Sequence, residues 1–149
     1  MPFLSNVLST GKMKRRARKV PKYFNQSNMV TVGWTLSTHM ATAIQSGLLR
    51  FSSNAKASSH TATYEIDNLE ANVKYRYLLD IATNNNSSAT VKIGTNSDDD
   101  AYAAVSLSGP PGEEIYRGTF VPTDNTILVK FTLPASAMTR MRNLLIEEI

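Results

Sequence analysis

Seven cations and no acid fall between Lys12 and Lys22: Lys12, Lys14, Arg15, Arg16, Arg18, Lys19 and Lys22. Positive charge at that density neutralises phosphates and releases their counterions, or attaches the segment to an acidic protein surface. No aromatic residue interleaves the cluster, which argues against stacking on single-stranded bases. Ahead of it, Phe3, Leu4, Val7 and Leu8 form a short apolar hook. Hook and cluster together read as a peptide that docks on a partner. The other groups able to recognise a ligand are flat aromatics. Trp34, Tyr102 and Tyr116 are the candidates for a platform on which a pyranose ring stacks. Trp34 and Tyr116 occupy alternating strand positions, where a large aromatic is read first as core. Tyr102, beside an aspartate turn, is expected to be the most exposed of the three.

Groups for catalysis or metal binding are sparse. The chain has two histidines, His39 and His60, with neither an H-E-x-x-H nor a G-x-S-x-G pattern around them. Asp98, Asp99 and Asp100 offer oxygen ligands for a hard cation, but no glycine or closing glutamate completes a binding loop, so a solvated acidic turn is preferred. Ser108–Gly112 has too few glycines for a phosphate loop and suits a rigid turn. There are no cysteines, which removes disulfides, thiolate metal sites and thiol nucleophiles and fits folding in a reducing cytoplasm. The expectation is a chain without enzymatic activity, cofactor or metal.

The elements that must position these groups fall in two parts. Residues 1–24 carry a charge of +7, and the remaining 125 carry 9 basic and 12 acidic residues, a net −3. Pro21 marks the seam, because the residue before a proline leaves helical geometry. The expected organisation is a basic N-terminal arm, 1–24, and one domain, 25–149. Met1–Thr10 lacks the form of a secretion signal, and no run of 18 apolar residues is present to span a membrane.

The body reads as short strands between turn-forming segments. The runs are Val30–Leu36, Leu48–Ser52, Thr61–Ile66, Val73–Ala82, Ala89–Ile93, Ala101–Leu107, Glu114–Val121, Thr126–Leu133 and a closing run near Arg142–Ile149. Val73, Tyr75, Tyr77, Leu79 and Ile81 share one face, against Lys74, Arg76 and Asp80 on the other. Ile127, Val129, Phe131 and Leu133 repeat the pattern around Lys130 and Thr132, as do Val91 and Ile93 around Lys92. A period of two with one polar face predicts antiparallel sheets packed on one side and wet on the other. About eight or nine such strands predict a sandwich or barrel. Ser37–Gln45 reads as a loop or one helical turn. At the end, Met138, Met141 and Leu145 have helical spacing, but a closing strand is preferred.

Particular residues in this frame are similar to those of a known family. Tyr64-Glu-Ile-Asp-Asn-Leu69 followed by Tyr75-Arg-Tyr77 and Ile81 resembles the strand, turn and long strand of carbohydrate-binding-module-like jelly rolls. Gly33-Trp34 stands where those proteins have an early Gly-Trp strand. Tyr116 to Phe131 looks like their late hairpin, and Asn143–Glu147 looks like their closing strand. The resemblance spans Val30 to Ile149 and implies an all-β, antiparallel jelly-roll β-sandwich. Modules of this kind without a secretion signal resemble those of tailed-phage virions, in tail fibres and as capsid decoration proteins. The basic arm departs from the secreted carbohydrate-binding pattern.

Three functions follow from the resemblance and the arm. The first is a virion decoration (cement) protein made in the host cytoplasm, with the arm tied to the major capsid or another virion protein and the body clustered as a dimer or trimer. The second is a glycan- or receptor-binding module of a tail appendage. The third is a small coat protein whose arm binds packaged nucleic acid. A receptor-binding tip needs no polybasic tail, whereas a decoration protein needs an anchor, so decoration ranks first. No membrane contact is expected.

Overall fold

In the computed structural model, the described residues are 21–24, 29–56, 59–83, 88–95, 100–107 and 112–149. They form eleven strands: β1 (Lys22–Phe24), β2 (Trp34–Leu36), β3 (Met40–Gln45), β4 (Leu48–Ser53), β5 (His60–Ile66), β6 (Tyr75–Thr83), β7 (Ala89–Gly94), β8 (Ala103–Leu107), β9 (Gly112–Phe120), β10 (Ile127–Leu133) and β11 (Met138–Glu148). These make two antiparallel sheets packed as a jelly-roll-like sandwich. The six-stranded sheet runs β3-β4-β11-β6-β9, with β1 also paired to β11, and the five-stranded sheet runs β2-β5-β10-β7-β8. The expected all-β class holds.

The alternation in the sequence is the alternation in the sheets. Ile127, Val129, Phe131 and Leu133 on β10 are each 0% exposed, whereas the intervening residues are half-buried. Across the sandwich the facing layer is Leu49, Phe51, Tyr75, Leu79, Ile81, Met141, Leu144 and Ile146. Aromatic rings join the two sheets at several points. Phe51 of β4 stacks on Phe131 of β10 with centroids 4.5 Å apart. Phe24 of β1 meets Tyr64 of β5 edge-on at 5.2 Å. Phe120 of β9 stacks on Tyr102, ahead of β8, at 5.2 Å.

The strand count differs from expectation for identifiable reasons. Ser37–Gln45 holds β3, an edge strand whose Met40-Ala-Thr-Ala-Ile-Gln45 pattern is too weakly alternating to announce itself. A two-residue turn joins β3 to β4, with Ser46 and Gly47 at φ of 53° and 75°, the doubly left-handed form that matches strand twist. The expected strand at Val30–Leu36 keeps only its last three residues. Gly33 turns the chain there at φ 94°, and a Cβ on it would come within 2.8 Å of the Tyr64 ring; only glycine combines that angle with that approach. Val32, 80% exposed, lies outside the core.

The closing segment is one strand rather than a helix. In β11, Met141 pairs with Ile81 but Asn143 pairs with Asp80, leaving Arg142 as the extra residue of a bulge. Buried positions are therefore odd before the bulge (Thr139, Met141) and even after it (Leu144, Ile146, Glu148). Met138, Met141 and Leu145, whose spacing suits a helix, do not share a face: Met141 is buried in the core, whereas Met138 and Leu145 are half-buried on the opposite side. The boundary between arm and body also moves. Lys22, Tyr23 and Phe24, placed with the arm in the sequence, pair with Ile146, Leu145 and Leu144 as a strand of the larger sheet.

Candidate functional site

The outer face of the six-stranded sheet carries the most structured polar surface among the described residues. Its positions are those that alternate with the core. Register places Tyr23, Leu145, Leu78 and Arg117 side by side on β1, β11, β6 and β9, in one row across four strands. At about 4.8 Å per strand the row is roughly 14 Å long. On one side of it lie Glu147, Arg76 and Thr119, and on the other Asn143, Asp80 and Ile115.

Both flanking rows are tied together by hydrogen bonds. The Arg76 guanidinium donates to Glu147 Oε1 from two of its nitrogens. Asn143 Nδ2 donates to Asp80 Oδ2 at 3.2 Å, and the Tyr23 hydroxyl donates to Asn143 Oδ1 at 3.2 Å. Mutual bonding fixes planar groups in place before any ligand arrives, which lowers the ordering cost of binding. Between the polar rows is an open depression of about 490 Å³. Arg76, Leu78, Arg117, Thr119 and Leu145 line it, and the Tyr77–Gly118 pair forms its floor. The Tyr77 ring lies so close over Gly118 that a Cβ there would meet its Cε1 at 2.6 Å. A second, smaller hollow of about 100 Å³ opens where Asp80 meets Arg140, Arg142 and Leu48. The β11 bulge makes it, because a bulge re-aims the side chains beside it and leaves Arg142 and Asn143 both half-buried.

The residues singled out by type are placed elsewhere. Trp34 is half-buried among Phe51, Tyr64 and Phe131, with centroids at 4.8, 5.1 and 5.7 Å, so its ring faces the core. Tyr102 lies half-buried against Phe120, and its hydroxyl accepts the backbone N–H of Thr123 at 3.0 Å. Tyr116 stands opposite Leu79 on the inner face of β9 and donates to Glu114. Burial first, then that bond and the Glu114 charge, pushes the Tyr116 phenol up to about 12. Trp34 is on the five-stranded sheet, Tyr102 just ahead of β8 of the same sheet and Tyr116 on the six-stranded sheet, and the three do not form a shared surface. His60 is buried at the start of β5, and His39 is exposed in a turn at φ 71°.

Phe3, Leu4, Val7, Leu8, Lys12, Lys14, Arg15, Arg16, Arg18 and Lys19 lie outside the described residues, as do Asp98 and Asp99. Lys22 is on β1, with Nζ 3.9 Å from Asp67 Oδ1 in an exposed pair, a contact of little energetic weight. Among the described residues no group of three or more His, Asp or Glu side chains is arranged to hold a metal ion. Sequence reasoning passed over Tyr23, Leu78, Arg117 and Leu145. Their only signal was position, one residue out of phase with the core.

No protein-family model matches the chain, and no curated protein matches it by sequence. Solved structures do. A CBM4 module superposes with a TM-score of 0.59 at 12% identity, over 87% of this chain and 86% of that one. The fold is that of the carbohydrate-binding modules. The CBM22-1 xylan-binding domain of Paenibacillus barcinonensis Xyn10C gives the same result at a TM-score of 0.57 and 12% identity, over 91% of this chain and 98% of that one. The enzymatically active domain of bacteriophage CBA120 tailspike protein 4 contains a similar unit, with a TM-score of 0.55 and 14% identity over 79% of this chain and 20% of that one. Identities this low establish a carbohydrate-binding-module-like architecture and leave function to the site.

Proposed function

We propose that the chain is a non-catalytic glycan-binding module of a phage virion, made in the host cytoplasm and held in the particle by its basic arm. The observation that carries this reading is the row Tyr23–Leu145–Leu78–Arg117 bounded by the Arg76–Glu147 and Asn143–Asp80 pairs. A sugar chain presents C–H faces that pack on an apolar strip and hydroxyls that bond to fixed planar groups beside it. The face offers both, in a depression open enough for a chain to lie across the strands. The spacing of the described carboxylates on this face supports binding rather than hydrolysis. Asp80 and Glu147 sit in rows four residues apart along β6, roughly 13 Å, whereas glycosidase pairs stand about 5–9.5 Å apart. The tailspike neighbour and the arm support the virion setting.

The test is affinity electrophoresis of the full chain through gels containing soluble plant, bacterial and host polysaccharides. At least one polysaccharide should retard it, and Tyr23→Ala or Leu78→Asn should lower the apparent affinity about tenfold. If no polysaccharide retards the wild type, the reading is wrong. The arm favours a second reading, a decoration protein bound to a capsid or other virion protein and clustered as a dimer or trimer. Saturable binding to undecorated capsids, lost when residues 1–20 are removed, would establish that role.

A further inference from the structure

Every arginine of the body lies on one sheet face. After residue 24 the sequence has five, Arg50, Arg76, Arg117, Arg140 and Arg142. Register puts Arg50 opposite Arg140, Arg140 opposite Ala82, Arg76 opposite Glu147 and Arg117 opposite Leu78, all on the outer face of the six-stranded sheet, with Arg142 in its bulge. The body's lysines are Lys56, Lys74, Lys92 and Lys130, and two of these, Lys92 and Lys130, sit on the other sheet. A domain whose net charge is negative has thus segregated its guanidinium groups. The described carboxylates on the same face are Asp80 and Glu147.

Two features show that this arrangement carries a cost within the fold. Like charges directly opposite on neighbouring strands destabilise a sheet, yet Arg50 and Arg140 are such a pair. They are also partly buried. Arg50 Nη1 donates to Gln45 Oε1 at 3.2 Å, while its buried Nε has no hydrogen-bond partner among the described residues. Arg140 and Arg142 line the small hollow beside Asp80 and are engaged within the fold, so their positions are held. A planar guanidinium held in place takes a carboxylate through two parallel N–H···O bonds, a geometry lysine cannot reproduce.

We propose that the glycan bound on this face is acidic, a polymer containing uronic or related sugar acids, with ring carboxylates received by the Arg50–Arg140–Arg142 cluster and the C–H faces of neighbouring rings laid along Tyr23, Leu145 and Leu78. This rests on the glycan-binding reading above and names its substrate class. A sugar acid fits better than a phosphate backbone for two reasons. Asp80 and Glu147 stand among the arginines, where they accept hydrogen bonds from hydroxyl groups, which a sugar ring supplies and a phosphodiester group does not. Tyr23 is the one aromatic on this face among the described residues, too few to stack successive bases.

The experiment is calorimetric titration of the full chain with trigalacturonate and with its neutral counterpart, galactotriose. Short ligands are used because the basic arm holds long polyanions of any kind. Trigalacturonate should bind at least tenfold more tightly than galactotriose. Arg140→Gln and Arg142→Gln should each abolish most of that preference, with circular dichroism confirming the fold. Reversal of Lys12, Lys14 and Arg15 to Glu should leave it unchanged. Equal binding of both trisaccharides overturns the acidic specificity and leaves the glycan reading standing. Loss of trigalacturonate binding on arm reversal but not in Arg140→Gln also overturns it, by moving the site to the arm. If neither trisaccharide binds and no polysaccharide retards the chain in gels, both readings fall. If an oligothymidylate binds in an Arg140-dependent way while trigalacturonate does not, the face reads phosphate and the proposal is wrong.

Discussion

Replacing Phe131 with alanine tests whether the two sheets face each other as described. Phe131 is 0% exposed at the centre of β10, stacked on Phe51 at 4.5 Å and met edge-on by Trp34 at 5.7 Å. Its cross-strand neighbours Ala62 and Val91 are also buried and cannot reach into the space it fills. Truncation removes the transfer free energy of the ring and leaves a cavity, together about 3–5 kcal/mol. Lost ring–ring contact adds roughly 0.5–1.5 kcal/mol. A domain of this size has about 5–15 kcal/mol in total, so the variant should fold but sit near its limit. In urea, with a slope of about 2 kcal/mol per molar, the midpoint should fall by roughly 1.8–3.3 M with the slope unchanged. Phe131→Leu, which keeps most of the volume, should lose about a third as much. A midpoint shift under about 0.5 M for Phe131→Ala would mean that β10 does not present this residue to the interior.

Three further outcomes are expected. Gly118→Ala should cost about 1–3 kcal/mol by displacing the Tyr77 ring, and Tyr77→Ala should remove most of that penalty in a double-mutant cycle of urea midpoints; additive losses would show that the two do not touch. Tyr116 has a folded-state pKa raised above the ordinary 10, to about 12, so its contribution to stability is complete below pH 10 and disappears as pH rises through about 12. Absorbance at 295 nm should show one phenol titrating late, and Tyr116→Phe should delete that phase without altering the others. Deleting residues 1–20 should leave the melting temperature unchanged. Deleting 1–24 should lower stability by roughly 1–3 kcal/mol, because it removes the Phe24–Tyr64 contact and uncovers the edge of β11 at Leu144–Ile146; equal melting curves would exclude β1 from the fold.

How much of this was legible in the sequence depended on how regularly each strand alternates. β7 and β10 are clean repeats of period two whose buried faces are those the pattern assigned; β6 buries the assigned face and also Asp80, which the pattern placed on the wet side. Edge strands bury less and so need less pattern, which is why β3 and the three-residue β1 went unrecognised. A bulge inverts the phase of a strand, and the extra residue at Arg142 interrupts the period-two alternation that would have marked β11 as one strand. The site was harder to see in residue types. Trp34 and Tyr116, read first as core, pack against it, and Tyr102, expected to be the most exposed of the three aromatics, is half-buried on Phe120. The face that gathers planar polar groups is built from the positions dismissed as merely wet, among them Arg76 and Asp80. Only register reveals that Arg50, Arg117, Arg140 and Arg142 join them.

The placement of β1 has a mechanical meaning. Any tension on the N-terminal arm enters the body through Lys22–Phe24, three residues clipped to the half of β11 that β4 does not cover. Peeling this clip would also carry Tyr23 away from Leu145 and break the row that faces solvent. A ligand spanning both residues would bridge the clip to the sheet and raise the force needed to detach it. Under the proposed function, grip on the particle and grip on the glycan strengthen together, and a particle pulled against its bound surface loads the very strand that its ligand reinforces.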